Sequence, residues 1–266
     1  MKKLITLFLL IPTLCFAGIT FDHSDDSVNC GSGASLDDLQ SQGGGGVTIS
    51  VWMESAISGD SEVMVGKISD WSSGDWEFYM HSTQHGGPAF YKVCTGSDID
   101  VYAVGATVSA NTITNIIMTW DGSLTATNVH IYKNNVEVGY QTQINGTVAT
   151  QSDADNDLTI GNSAALDEPF SGTIYEVAIW NVILTAAERQ QIVSSKMRVS
   201  DQIRPSALKG YWRIDEGSAG TSADGDSVFD YSVNGNTGTG DDGGGDSGLT
   251  WAVEKTLSYP RDIMGY

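Results

Sequence analysis

Two kinds of side chain in this 266-residue sequence are grouped so that they could do chemistry, and a third is paired. Oxygen donors come first. The stretch "FDHSDD" places Asp22, Asp25 and Asp26 in one short loop, a donor type and density that suits a divalent cation such as calcium. The same residues could instead close Asx turns on their own backbone. "DADND" sets Asp153, Asp155 and Asp157 at the first, third and fifth places of an EF-hand-like loop. Leu158 stands where that loop needs glycine and Ala164 where it needs its last acid, so a turn of solvated acids is preferred. "FDYSVNGN" offers Asp230, Asn234 and Asn236, but its Asn-Gly step argues for a turn. Aromatic side chains come second. A flat ring beside hydroxyl-binding groups is what a sugar needs, and "SDWSSGDW" supplies Trp71 next to Asp70, with His81 and His85 nearby. The alternative is that Trp71 packs and the histidines are solvated. Trp76, Trp120, Trp180, Trp212 and Trp251 fall on strand patterns and read as core.

Catalytic groupings are absent from the sequence pattern. No Ser-His-Asp spacing with supporting context, P-loop or Cys/His zinc cluster occurs. Glycoside cleavage needs two carboxyls held at a defined separation. Glu54, Glu62, Glu77, Glu137 and Glu176 stand singly on strand-like runs, and the acidic clusters sit in turns.

The elements that would position these residues follow from pattern. Lys2 and Lys3 precede an apolar run from Leu4 to Leu14, and Cys15-Phe16-Ala17 supplies small residues for cleavage. Residues 1–17 therefore read as a secretory signal peptide, too short to span a membrane, and the mature chain is expected outside the cytoplasm. Loss of two leader lysines takes the formal charge from −20 to −22. Such a surface repels nucleic acid and anionic lipid, predicts no membrane insertion, and favours a monomer or weak oligomer. Once Cys15 is lost, Cys30 and Cys94 remain as an even pair in an oxidising compartment, which favours one disulfide; two buried free thiols are the alternative. Neither has a base beside it, so neither reads as a catalytic nucleophile.

Short alternating runs recur between Gly, Asn, Asp and Ser, which predicts strands. In residues 46–56, Val47, Ile49, Val51 and Met53 alternate with Thr48, Ser50, Trp52 and Glu54. Asn134-Asn135 between two such runs signals a hairpin. Thr185-Ala-Ala-Glu188 is a capping box and predicts one short helix near 185–195. Residues 207–255 are rich in Gly and Asp, yet Phe229, Tyr231, Leu249 and Trp251 argue for closing strands and loops rather than a linker. The expectation is an all-β, two-sheet antiparallel sandwich over residues 18–260, with a tail at 261–266.

Four blocks carry a family likeness: "ITFDHSDDSVNCG", "VTISVWMES", "LTIGN" with "FSGTIYEVAIWNVILTAAE", and "GYWRIDEGSAG" with "FDYSVNGNTGT" and "LTWA". Together they resemble a LamG-like jelly-roll domain of the concanavalin A-like lectin/glucanase superfamily, similar also to pentraxins. The resemblance implies a jelly roll, and it places structural cations at the opening loop of Asp22, Asp25 and Asp26. The chain departs from the pentraxin pattern at Gly161-Asn162-Ser163-Ala164-Ala165, where no acid occurs until Asp167 and Glu168, and at Tyr175-Glu176 in place of Asp-Glu. The Glu-x-Asp-x-x-Glu of the glucanases is missing. The resulting expectation is a secreted, non-catalytic binding or adhesion module recognising carbohydrate or a cell-surface ligand, with structural calcium. A virion or cell-surface decoration domain that binds protein only is the alternative, and a divergent glycoside hydrolase or polysaccharide lyase is the third reading.

Overall fold

The computed structural model describes residues 15–43, 45–57, 59–69, 71, 74–81, 87–195, 200–245, 248–253 and 255–256. In chain order the first strands are β1 (Cys15–Phe16), β2 (Ile19–Asp22), β3 (Ser27–Asn29) and β4 (Val47–Ser55). They are followed by β5 (Glu62–Lys67), β6 (Trp76–Met80), β7 (Pro88–Lys92), β8 (Ile99–Ala103) and β9 (Thr114–Trp120). The middle of the chain gives β10 (Val129–Lys133), β11 (Val136–Glu137), β12 (Tyr140–Ile144), β13 (Thr159–Ile160) and β14 (Ser171–Trp180). Helix α1 (Ala186–Ser195) then leads to β15 (Leu208–Trp212), β16 (Ser227–Val228), β17 (Gly238–Asp241), β18 (Thr250–Trp251) and β19 (Lys255–Thr256).

Among the described residues, eight strands form one sheet in the order β11-β10-β9-β4-β14-β2-β18, with β15 also on β14. Nine form the other, β12-β8-β7-β6-β5-β13-β3-β17-β16. Every pairing is antiparallel, as the alternating pattern and short turns require. β14 is long enough for one edge to be shared by β2 and β15. The closing segment thus contributes to both sheets: β15 and β18 to the first, β16 and β17 to the second. β1 pairs with β19, so one partner of that two-stranded ladder lies within residues 1–17; residues 1–14 and 257–266 lie outside the described residues.

The core lies between the sheets, where Ile49, Val51, Met53, Ile116 and Met118 meet Met64, Phe78, Phe90 and Val101. β4 alternates as expected but is buried along its whole length. Its polar phase is covered as well, and each hydroxyl there is used: Thr48 donates to Val182 O at 2.7 Å, and Ser50 accepts from Asn115 at 3.0 Å. A second apolar cluster, with Trp180, Leu184, Ile192 and Tyr211, packs α1 on that outer face. The cap forms as read: Glu188 N donates to Thr185 Oγ1 at 3.3 Å, and Thr185 N donates to Glu188 Oε2 at 2.8 Å. Asn134 and Asn135 both take positive φ and turn β10 into β11.

The expected disulfide does not form; Cys30 and Cys94 are buried free thiols. Cys30 follows β3 and Cys94 follows β7, with β13, β5 and β6 between them in the sheet. Four steps of roughly 4.8 Å far exceed the ~7 Å that a bridged Cα pair tolerates. Burial raises both thiols, Cys30 well above its ordinary value.

Candidate functional site

The outer face of the nine-stranded sheet is built here by period-two alternation in three adjacent strands. Phe78, Phe90 and Val101 point to the core, so their neighbours point outward. Register then sets Glu77, Tyr91 and Asp100 side by side across β6, β7 and β8. The next outward row is Tyr79, Ala89 and Tyr102. Ala89 is buried between the two tyrosines and packs with Val63 and Tyr79. The His81 ring lies 4.6 Å from the Tyr102 ring and 5.8 Å from that of Tyr79. At the upper edge Trp71 stands edge-on to Tyr91, ring centroids 5.2 Å apart. Trp71 is 45 % exposed and holds φ at 59°, a left-handed conformation that costs a bulky residue of order 1 kcal/mol or more.

The floor of this face is acidic. Glu77 is 1 % exposed, and its carboxyl is paired with another carboxyl. Its neighbour is the carboxyl of Glu168, carried by the segment between β13 and β14. That segment is shaped by Gly161, at φ 85°, where a Cβ would strike the Phe21 ring at 2.1 Å. Phe170 N closes the loop on Gly161 O at 2.8 Å, and Val63 N binds Glu168 O at 3.0 Å. Burial, followed by the charges of Glu168, Asp100 and Asp167, raises the Glu77 carboxyl well above the usual range. Burial raises Glu168 as well. Burial and a hydrogen bond to Asp98 push the Tyr91 hydroxyl up. The described lysines and arginines turn away from Glu77. Lys67 and Lys92 turn to Asp153, Lys133 to Thr107 O, Arg204 to Glu188 and Arg213 to Asp215. Arg189 lies over Tyr132, and Lys209 is on β15 of the other sheet.

Of the residues singled out for sugar binding, Trp71 stands on this face, while Asp70 and His85 lie outside the described residues. Glu77, Tyr91, Asp100, Tyr102 and Glu168 were not singled out, although Tyr79, Tyr91 and Tyr102 occupy the outward phase of strands whose inward phase is apolar. Glu77 is not single in space: its partner comes from a loop beside β13. On the eight-stranded sheet, a cleft of about 340 Å³ is lined by Thr20, Glu54, Asn111, Thr173 and Tyr175. Its polar groups satisfy one another, Tyr175 with Glu54 at 2.9 Å and Thr20 with Thr173 at 3.1 Å, and Tyr175 is buried. It offers no ring face.

The acidic loops resolve differently. Asp26 is fully buried and accepts Asp22 N at 2.9 Å. Asp22 and Asp25 converge on the Ser24 hydroxyl, at 2.7 and 2.9 Å. The glycine-rich run covers them: a Cβ at Gly243 would overlap the Asp25 carboxyl at 2.2 Å, and one at Gly248 would overlap Asp22 at 2.3 Å. Asp224, Asp241 and Asp242 bring carboxylate oxygens within 4.8 Å of one another nearby in the chain fold. Asp153, expected in a turn of solvated acids, is instead 1 % exposed. It accepts Trp76 Nε1 at 3.0 Å and Asp38 N at 2.9 Å, and lies 3.2 Å from Lys67 and 3.8 Å from Lys92. Buried ammonium groups occupy the place a metal would take. Asp230 accepts the backbone N–H groups of Tyr211, Ser232 and Asn236 and so has a turn role.

Residues 26–188, more than half the chain, match the family described as the concanavalin A-like lectin/glucanases superfamily. The chain belongs to it. No curated protein sequence matches the chain. Among solved structures, it is similar to a protein of Bacteroides ovatus ATCC 8483 provisionally named as carbohydrate-binding, with TM-score 0.52 and 15 % identity over 94 % of this chain. The chain spans 62 % of that protein's length. A heptameric SAP-like pentraxin from Limulus polyphemus gives TM-score 0.48 and 11 % identity, over 67 % of this chain and 82 % of that one. The CBM40 of a Ruminococcus gnavus IT-sialidase, bound to alpha2,3 sialyllactose, gives 0.46 and 11 %, over 68 % and 97 %. At these identities the likeness is one of fold.

Proposed function

We propose that the protein is an exported, non-catalytic module, a monomer or weak oligomer, that binds carbohydrate on the outer face of its larger sheet. The observation that carries this reading is the exposed, left-handed Trp71 beside the tyrosine-lined, carboxyl-floored rows. Rings supply flat apolar faces for sugar C–H groups, and carboxyl and hydroxyl oxygens at their feet accept sugar hydroxyls. The name of the Bacteroides ovatus structure fits the same class. The acids support binding over turnover. Glycosidase carboxyls stand ~5 Å or more apart across the scissile bond, with one pKa raised and the other not. Glu77 and Glu168 touch each other and are both raised. Among the described residues no helix is long and apolar enough to cross a membrane, which is compatible with an exported protein.

Structural calcium belongs to the proposal. Asp22 and Asp25 offer converging hard oxygens, with Asp224, Asp241 and Asp242 close by, and this donor set suits calcium. The glycan reading is tested by a glycan array followed by calorimetry on the full exported chain. Trp71→Ala should weaken binding of any glycan hit about tenfold, as loss of a ring worth ~1.4 kcal/mol would, while leaving the melting curve in place. An array without hits, or full affinity in Trp71→Ala, would refute it.

A further inference from the structure

We infer that the protein carries a second glycan-binding surface, for neutral sugars, built on Phe229 and Tyr231 between β16 and β17. The inference rests on the carbohydrate reading above and adds a site beyond residues 26–188, which match the family. The run from Phe229 to Val233 alternates in the inverse sense to a core strand. Its polar residues turn inward. Asp230 accepts the N–H groups of Tyr211, Ser232 and Asn236, and Ser232 Oγ donates to Lys209 O at 3.4 Å. Tyr231 N adds a bond to Tyr211 O at 2.7 Å, so the segment is fastened along β15. Its apolar residues turn to water: Phe229 is 50 % exposed, Tyr231 41 % and Val233 92 %. Aromatic residues in this stretch are expected to close the core, yet the structure displays them. Apolar groups that alternation holds outward mark a contact surface.

The rings are held rather than loose. The Arg213 guanidinium lies over the Tyr231 ring at 4.7 Å, and the Tyr211 ring stands edge-on to it at 6.2 Å. Arg213 is itself fixed by Asp215 at 3.1 Å, and Glu216 accepts Phe229 N at 3.2 Å. Ordering cost on binding is therefore small. Size and charge select the occupant. Three displayed side chains are far fewer than the roughly 20–30 a side of a stable protein interface. A second copy would also bring a further formal charge of −20. A sugar needs only a ring face or two with polar groups at the rim, which Arg213, Asp215 and Glu216 supply. Asp215 neutralises Arg213, and Glu216 repels sialic acids and uronates, so neutral glycans fit. Trp71 stands on the nine-stranded sheet and β15 belongs to the other, which gives the module two separate contacts with a glycan-coated surface.

Calorimetry on the full exported chain would titrate tetrasaccharides of glucose, galactose, mannose and N-acetylglucosamine, with sialyllactose as the acidic comparison. At least one neutral tetrasaccharide should bind twice per chain. It should bind once in Trp71→Ala, once in the double change Phe229→Ala with Tyr231→Ala, and not at all when the three are combined. On an array of the same sugar, loss of either site should lower apparent affinity by roughly tenfold or more, because the linked contacts act together. Phe229→Ala alone should leave the melting curve in place, as an exposed side chain does; a large fall in Tm would show the ring to be packed and overturn the inference. A single bound sugar, lost in Trp71→Ala and untouched by the ring changes, would overturn it and leave the carbohydrate reading standing. Binding that survives Trp71→Ala and is lost with the rings would fail the Trp71 face and keep this site. Sialyllactose bound through the rings would overturn the neutral class. A dimer in sedimentation that Phe229→Ala dissolves would assign the rings to self-contact instead. No binding of any of these sugars would overturn both readings.

Discussion

Glu77 makes the stability of this protein depend on pH in an unusual sense. Its carboxyl is raised in the folded state by burial and by Glu168, Asp100 and Asp167, while the Tyr79 and Tyr91 hydroxyls around it are also raised. The folded chain then binds this proton more tightly than the unfolded one. Its contribution is fully present below the unfolded carboxylate value of about 4.3 and is lost as pH rises through the folded value. Glu188 and Glu137 are shifted the other way, but both lie at the surface in contact with water, and their effects are screened. Glu77→Gln keeps the shape and removes the charge. It should stabilise the protein at pH 8 by about 1–3 kcal/mol, the range for relieving a buried unsatisfied group, and have little effect at pH 4. Urea unfolding at both values checks this, and an equal shift at both would contradict it. Lys67 poses the opposite case. It is fully buried between Asp37 at 2.7 Å and Asp153 at 3.2 Å. Lys67→Met should destabilise by about 3–5 kcal/mol because Asp153 is left buried with less compensation. Adding Asp153→Asn should recover part of that loss in a double-mutant cycle.

At the scale of elements, the most legible feature was α1, because its signal is local: Thr185 and Glu188 sit three residues apart and meet directly. The Asn134-Asn135 hairpin was legible for the same reason, and its role extends further. Asn135 donates to Ala186 O at 3.3 Å and accepts Arg189 Nε at 3.2 Å, so the turn also docks the helix. Thr185→Ala should cost about 1 kcal/mol through the cap. A Tm unchanged within error would mean that Arg204, which also pairs with Glu188, holds the helix start unaided. What was not legible depended on register. Period-two alternation in β6, β7 and β8 announces an outward phase, but only the pairings of Glu77 with Tyr91 and of Tyr91 with Asp100 make it one row. Glu168 reaches that row through a loop turned by Gly161, which no local pattern foretells. The cysteine pairing failed for a related reason: strand ends look alike in sequence, and only strand order shows that three strands lie between.

The whole molecule joins its beginning to its end. β2 pairs with β18 and β3 with β17, so the first and last parts of the described sandwich share both sheets. At that junction the opening loop with Asp22 and Asp25 lies against the glycine-rich run that carries Asp241 and Asp242. The glycines are what permit this approach, since a side chain at Gly243 or Gly248 would occupy the carboxylate positions. Two acidic segments held this close repel one another, and they do so in a chain of formal charge −20. A calcium ion at the junction would replace that repulsion with shared coordination and clamp the two ends of the sandwich together. Because such an ion binds only the folded form, its effect follows mass action: ~2.7 kcal/mol at a hundredfold excess over Kd. For a domain of this size that corresponds to a rise in Tm of roughly 5–10 °C. Calcium should therefore raise the melting temperature and a chelator lower it, with magnesium less effective because it resists dehydration. Asp25→Asn should abolish most of the calcium response, whereas Glu77→Gln, on the outer face of the larger sheet, should leave it unchanged. Superimposable melting curves in calcium and in chelator would exclude a clamp at this junction, and the acidic run would then serve only to close its own turns through Gly243, Gly244 and Gly245.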